Sequence, residues 1–199
     1  MKKQVLMIHG GTTFDSYKDY LSFLKKLKVD LDRYRGEKWA NSLGIKLGRG
    51  FDVLLLKMPN PMNARYEEWK ILFGKIARAL RNKVILIGHS LGAIFLAKYL
   101  SENRFPKKVR ATFLISGPYD DKSLDESLGG FTLPESLKKL RKQGGRIFLY
   151  HSKDDKVVPF AHLGKYKKAL PGAVVRVFKK RGHFLQSDFP ELVKDIKNL

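Results

Sequence analysis

The sequence predicts an α/β protein, a three-layer α/β/α sandwich around a mainly parallel, doubly wound sheet of about six strands. Three observations carry this. Short apolar segments rich in β-branched residues recur at wide intervals: Gln4–Ile8, Asp52–Lys57, Lys83–Ile87, Arg110–Ile115, Arg146–Tyr150 and Ala173–Phe178. Several ("VLLLK", "VILIG", "ATFLIS") are nearly continuous in apolar residues, as strands covered on both faces are. The intervals hold stretches of helical periodicity, and strands alternating with helices form βαβ units with right-handed crossovers.

Taken in order, Gln4–Ile8 runs into a glycine-bearing loop, "HGGTTF". The stretch from Asp15 to Gly50 departs from the rhythm. It is charged, carries Tyr17, Tyr20, Phe23, Tyr34 and Trp39, and reads as one or two helices with a loop. Gly44, Gly48 and Gly50 are expected to break it before the second strand. Within a single domain spanning 1–199, residues 15–50 are a candidate helical, lid-like insertion. After Asp52–Lys57, "YEEWKILFGKIARALRN" spaces Trp69, Leu72, Phe73, Ile76 and Leu80 along one apolar helix face. Lys83–Ile87 leads into the amphipathic "LGAIFLAKYLSEN". Arg110–Ile115 is followed by Pro118–Thr132, acidic and turn-rich, at a strand end where open α/β sheets carry ligand-facing loops. "LPESLKKLRKQGG" opens with Pro134 at a plausible first helical position and stops on two glycines, predicting a helix before Arg146–Tyr150. Ala173–Phe178 is the last expected strand.

With 199 residues, 43% of them hydrophobic and 12% aromatic, the chain can bury a sizeable core and is too apolar for a disordered segment. No apolar run approaches the roughly 20 residues of a membrane-spanning helix. The run behind "MKK" is about five residues, short of the roughly 7 that a signal peptide needs. Zero cysteines rule out disulfides and thiolate nucleophiles and lead to the expectation of a cytoplasmic location. Forty Lys and Arg against nineteen Asp and Glu give a formal charge of +21, which favours anionic partners. The basic residues come in short, scattered groups such as Lys25-Lys26, Lys107-Lys108 and Lys179-Lys180-Arg181, without an RNP motif, zinc-finger spacing or basic arm. A solvated basic surface is the simpler reading. Binding of nucleic acid or another polyanion is the alternative.

Gly88-His89-Ser90-Leu91-Gly92 fits G-x-S-x-G between an apolar strand and an amphipathic helix, the context in which the pattern marks a nucleophile on a sharp turn. The turn lifts Oγ above the sheet, and the Leu91 N–H points into the same space from a helix N-terminus. The alternative is a serine that caps the helix. A nucleophilic serine needs a base, and the base needs an orienting carboxylate. Of five histidines, His183 in "FKKRGHFLQSDFP" falls just past the last strand, where a loop could carry it over the serine. His89 adjoins Ser90 on a turn whose successive side chains diverge, which makes it a poor base. His9 ends the first strand, where its backbone is expected to count for more than its ring. His151 ends another strand, and His162 reads as an ordinary helix residue. Asp154 and Asp155 in "LYHSKDDKVVP" directly follow the fifth strand, so either can reach the same edge, and the order Ser…Asp…His is that of α/β-hydrolase triads. "MIHGGTTF" supplies a second oxyanion donor, the N–H of Gly11 or of Thr12. It lacks the spacing of G-x-G-x-x-G and of a P-loop. No His/Asp/Glu cluster has metal-ligand spacing on one element. Neither a metal nor another cofactor is expected.

Together "IHGG", "GHSLG", "SKDDKVVP" and "RGHF" resemble the α/β-hydrolase superfamily over nearly the whole chain. The chain starts at what would be that fold's third strand, so it resembles a compact member lacking the first two. With "KMPNPMNARYEEWK" it is similar to the small serine-hydrolase family that includes the retinoblastoma-binding serine hydrolase. The resemblance implies a carboxylesterase-like enzyme that cleaves an ester, thioester or amide of a small-molecule acyl substrate through an acyl-enzyme. Ser90 would be the nucleophile, His183 the base, and the Gly11 and Leu91 N–H groups the oxyanion hole. It also selects Asp155 over Asp154, because the superfamily's triad aspartate stands four residues before the proline of D-x-x-V-P, here Pro159. Phe14, Tyr17 and Tyr119 are expected to line the mouth and Phe184 to flank the base. The competing expectation is a catalytically weak hydrolase-fold protein whose basic surface binds a polyanion (nucleic acid or an anionic membrane) or a protein partner.

Overall fold

The computed structural model describes residues 2–29, 39–124 and 126–199. The strands are β1 (Lys3–Ile8), β2 (Phe51–Leu56), β3 (Val84–His89), β4 (Val109–Ile115), β5 (Arg146–Ser152) and β6 (Val174–Phe178). They form one six-stranded sheet in the order β2-β1-β3-β4-β5-β6, and every pairing is parallel. Among the described residues the helices are α1 (Tyr17–Lys26), α2 (Trp39–Leu47), α3 (Tyr66–Ala79), α4 (Leu91–Glu102), α5 (Lys138–Gln143), α6 (Ala161–Ala169) and α7 (Pro190–Lys197).

The period-2 alternation of side chains builds the three layers. Val5 and Met7 of β1 and Ile85 and Ile87 of β3 enter one apolar cluster with Trp39 and Leu43 of α2 and Leu192 and Ile196 of α7. Leu6, Ile8 and Leu86 enter the opposite cluster with Trp69 and Phe73 of α3 and Phe95 of α4. Phe113 and Phe148 are register partners on β4 and β5, and their rings stack with centroids 4.4 Å apart, a cross-strand contact that ties the middle of the sheet. The order of the sheet places β2 and β3 on opposite sides of β1. The chain therefore changes direction across the sheet between β1 and β3, and their C-terminal ends open the crevice where such sheets bind ligands.

Several local expectations need correction. The "VLLLK" strand is not covered on both faces: β2 lies at the sheet edge, with Leu54 and Leu55 exposed by 37% and 44%. An apolar run reports that a strand can be buried, whereas its neighbours decide whether it is. Gly44 does not break its segment. It lies inside α2, where an added Cβ would come 3.6 Å from that of Val53, so the bare backbone lets the helix pass close over β2. The break comes at Gly48, whose φ of +86° is a conformation glycine adopts without strain. Pro134 does not start α5, which begins at Lys138. Leu128, Phe131 and Leu137 are drawn into the core ahead of it, and that anchoring holds the chain out of helix until Leu137 is seated. Of the expected 15–50 insertion, α2 is a layer helix with Trp39, Leu43 and Leu47 buried. By contrast α1, whose Ser16 cap accepts the Asp19 N–H at 3.1 Å, has no buried residue. Residues 30–38, with Tyr34, lie outside the described residues. No helix among the described residues is long and apolar enough to cross a membrane.

Candidate active site

Ser90 stands between the last residue of β3 and the first of α4, with φ 55° and ψ −122°. An L-residue reaches that backbone only under strain. The two glycines around it explain why the turn is so tight. A Cβ at Gly88 would sit 2.3 Å from the Gly92 carbonyl oxygen, and one at Gly92 would sit 2.5 Å from that of Ile8. Strand, helix start and β1 therefore meet backbone to backbone. Ser90 makes no side-chain capping hydrogen bond among the described residues, unlike the helix-cap alternative. Instead its side chain lies against Gly10, where an added Cβ would be 3.4 Å from Oγ.

His183 follows β6 on a loop that turns through Gly182 (φ +50°) and Phe184 (φ +54°). Its Nδ1 is 2.9 Å and 3.1 Å from the two carboxylate oxygens of Asp155, which leaves Nε2 as the nitrogen available for proton transfer. Burial would push the Asp155 carboxyl up. The hydrogen bond and charge of His183, together with the Val158 N–H and Ser116 hydroxyl, outweigh that and hold it below the usual carboxylate range. Oδ1 accepts the N–H groups of Val157 and Val158 at 2.9 Å and 3.0 Å, while Oδ2 accepts the Ser116 hydroxyl at 2.7 Å. Asp154 faces another way: its Oδ1 accepts from the Ser152 hydroxyl and, at 2.9 Å, from the Gly182 N–H, tethering the loop before His183. Geometry thus brings Asp155, not Asp154, to the imidazole.

Ser90 and His183 line one cleft of about 640 Å³. Gly10, Gly11, Thr12 and Leu91 border it from the ends of β1 and β3. The Thr12 N–H is engaged by the Pro61 carbonyl at 2.8 Å, so of the two candidates Gly11 is the donor left for a ligand. A Cβ on Gly11 would come 2.7 Å from that carbonyl and 3.2 Å from Leu91 Cδ2, which requires a glycine beside Leu91. Leu91 opens α4, and the first N–H groups of a helix lack intrahelical partners. The remaining walls are largely apolar, with Trp39, Leu124, Leu128, Val157 and Leu185, while Glu126 and Lys156 add charge.

The aromatic expectations fare less well. Phe14 packs on Tyr20 and Phe23 and borders a different groove beside Arg65 and Tyr66. Tyr17 is 63% exposed on α1 and is not among the cleft residues. Tyr119 packs edge-on against Tyr166, away from the cleft walls. Phe184 does adjoin the cleft, but its ring is buried against Phe178 and Phe189 because its strained backbone turns it inward. Short aromatic side chains near a motif follow the nearest core, and sequence distance does not reveal where that core lies.

The other histidines are structural brackets. His9 Nε2 accepts the Met58 N–H at 2.9 Å, so its ring, contrary to expectation, joins the ends of β1 and β2. His89 Nε2 lies 2.8 Å from the His183 carbonyl, an acceptor, so the imidazole donates there, and Trp39 packs edge-on against it. His151 Nε2 likewise donates to the Val158 carbonyl at 2.8 Å. His162 is fully buried rather than an ordinary helix residue. Its Nδ1 accepts the Tyr119 N–H at 3.0 Å, so Nε2 carries the proton toward Ser123 and the pair cannot serve as a second Ser-His nucleophile. Trp39 also lines the cleft and Ser116 bonds Asp155, although neither stands out in the sequence. Ser116 was detectable only as a polar residue ending a buried strand, and Trp39 only as an indole preceding an apolar helical run.

A parallel sheet with this order, a strained serine at its crossover point and a histidine–carboxylate pair at the same edge define an α/β-hydrolase fold. The comparisons with known proteins agree. The chain belongs to the serine hydrolase family, whose model matches residues 35–194. It is 28% identical to the serine hydrolase RBBP9 of Rattus norvegicus over 158 residues, covering 78% of this chain and 82% of the relative. It is 26% identical to YdeN of Bacillus subtilis over 189 residues, 94% of this chain and 89% of the relative. The crystal structure of the B. subtilis ydeN gene product superposes with a TM-score of 0.78 at 23% identity, covering 99% of this chain and 98% of the other. A lipase-esterase related protein from Clostridium acetobutylicum superposes at 0.65 with 14% identity, covering 98% and 93%.

Proposed function

We propose that this hydrolase cleaves an ester, thioester or amide of a small to medium acyl substrate by two-step acyl transfer. His183 Nε2 takes the proton of the Ser90 hydroxyl as Oγ attacks the carbonyl carbon. The N–H groups of Gly11 and Leu91 receive the oxyanion. Asp155 holds the imidazole in the tautomer that leaves Nε2 free and stabilises its charged form. His183 then gives the proton to the leaving group, and water, deprotonated by the same imidazole, releases the acyl group. The observation that carries this reading is a strained serine sharing a cleft with a histidine whose Nδ1 is bound to a buried carboxylate. The cleft's size and largely apolar wall favour a short or medium acyl chain. Among the described residues, α1 is the part of the insertion left to act as a lid, and the lack of cysteine suits a cytoplasmic location.

Fluorophosphonate labelling tests the nucleophile. Wild type is expected to label and Ser90→Ala not to. An unlabelled wild type, or equal labelling of the variant, refutes it. A series of p-nitrophenyl esters from acetate to decanoate then reads the chain length the cleft accepts. The charge of +21 supports a second reading, polyanion binding, which predicts an affinity for nucleic acid or anionic vesicles that falls steeply with salt.

A further inference from the structure

Ser90 is not the only strained serine at this edge. Ser116, directly after β4, has φ +44° and is completely buried. Its N–H donates to the Tyr150 carbonyl at 2.9 Å, which locks the backbone onto β5. Left-handed backbone is disfavoured for serine and free of steric cost for glycine. A glycine would therefore satisfy the same backbone with less strain, and what serine adds is its hydroxyl. That hydroxyl donates to Oδ2 of Asp155 at 2.7 Å.

The donors around the carboxylate are divided between its two oxygens. Oδ1 takes the Val157 and Val158 N–H groups, which belong to Asp155's own loop. Oδ2 takes the Ser116 hydroxyl, from the end of a neighbouring strand. His151 Nε2 is 3.9 Å from Oδ2, but its proton is directed to the Val158 carbonyl. Ser116 is thus the link, among the described residues, that fixes Oδ2 to the sheet while His183 Nδ1 spans both oxygens.

We propose that Ser116 is a positioning residue: its hydroxyl sets the plane of the Asp155 carboxylate and, through it, the orientation of the His183 ring. The inference rests on the acyl-transfer reading above. Two serines at the ends of β3 and β4 thereby divide the work, one attacking the carbonyl and one holding the Asp155–His183 pair in register. Strain retained at a buried residue where glycine would fit points to a function for the side chain.

The test compares Ser116→Gly and Ser116→Ala with wild type on a p-nitrophenyl ester, alongside thermal unfolding. Ser116→Gly is expected to lower Tm less than Ser116→Ala, because both lose the hydrogen bond to Asp155 but only glycine relieves the strained backbone. Its kcat should fall about tenfold, about 1.4 kcal/mol of barrier, with KM little changed. Ser116→Ala should lose kcat similarly while keeping the strained backbone. Wild-type kcat in Ser116→Gly, or losses of kcat that merely follow a lowered Tm in both variants, would overturn the proposal. Ser90→Ala separates the two levels: if it still turns over ester at the wild-type rate, the acyl-transfer reading itself fails. If it is inactive while both Ser116 variants match wild type, only the positioning role fails.

Discussion

Replacing Gly92 by alanine puts a methyl group where three backbones converge. The added Cβ would lie 2.5 Å from the Ile8 carbonyl oxygen and 2.6 Å from that of His9, about 0.9 Å short of ordinary contact at 3.4 Å. Neither oxygen can swing away, since Ile8 is the end of a central strand and His9 begins the loop that leads to Gly11. The N-terminus of α4 must lift from β1 by about that distance, which moves the Leu91 N–H away from the Gly11 N–H. Overpacking of this kind costs about 3 kcal/mol at its upper end. The better helix propensity of alanine returns up to about 1 kcal/mol. A net loss of about 2 kcal/mol corresponds to a Tm lower by roughly 4–8 °C in a chain of this size. A displacement near 1 Å between reacting groups costs on the order of 100-fold in turnover. Gly164→Ala in α6 is the control, because its Cβ would meet nothing within 4 Å. It should raise Tm by roughly 2–4 °C with unchanged turnover. Differential scanning calorimetry and initial rates on p-nitrophenyl acetate read both. Wild-type Tm and turnover in Gly92→Ala, or equal destabilisation in Gly164→Ala, would refute this account of the turn.

Asp155→Asn should lower kcat by about 10⁴-fold, since the amide favours the wrong imidazole tautomer. Asp154→Asn weakens the contacts with Ser152 and Gly182, away from the imidazole, and should cost less than tenfold; steady-state kinetics that rank the two the other way would reassign the carboxylate. Burial pushes the imidazoles of His151 and His162 below the ordinary value, so the unfolded chain takes up protons that the native state refuses. Stability should therefore fall as pH drops below about 6.5, and His162→Gln should flatten the Tm–pH curve between pH 7 and 5. A slope identical to wild type would remove His162 from that role. Asp155 acts in a separate window: its lowered carboxyl contributes stability that is lost only below about pH 4.

What could be read from the sequence was what is local along the chain. Strands with two apolar faces announce themselves as short continuous apolar runs and helices with one by their period, so the sandwich and its strands followed from patterning. The G-x-S-x-G turn did too, because its strain and its two glycines lie within five consecutive residues, Gly88 to Gly92. Asp155 needed a family resemblance on top of spacing, since two adjacent aspartates look alike until one is seen accepting from Val157 and Val158 and the other from Gly182. Tertiary structure alone decided the rest. Whether β2 is an edge, whether Tyr119 meets the cleft or Tyr166, and whether His162 is a surface group or a buried bracket depend on elements distant in sequence. Ser116 is the sharpest case. Its neighbours along the chain mark only the end of a strand, while the carboxylate that gives its hydroxyl a purpose lies on the loop after β5. The sheet alone brings the two together.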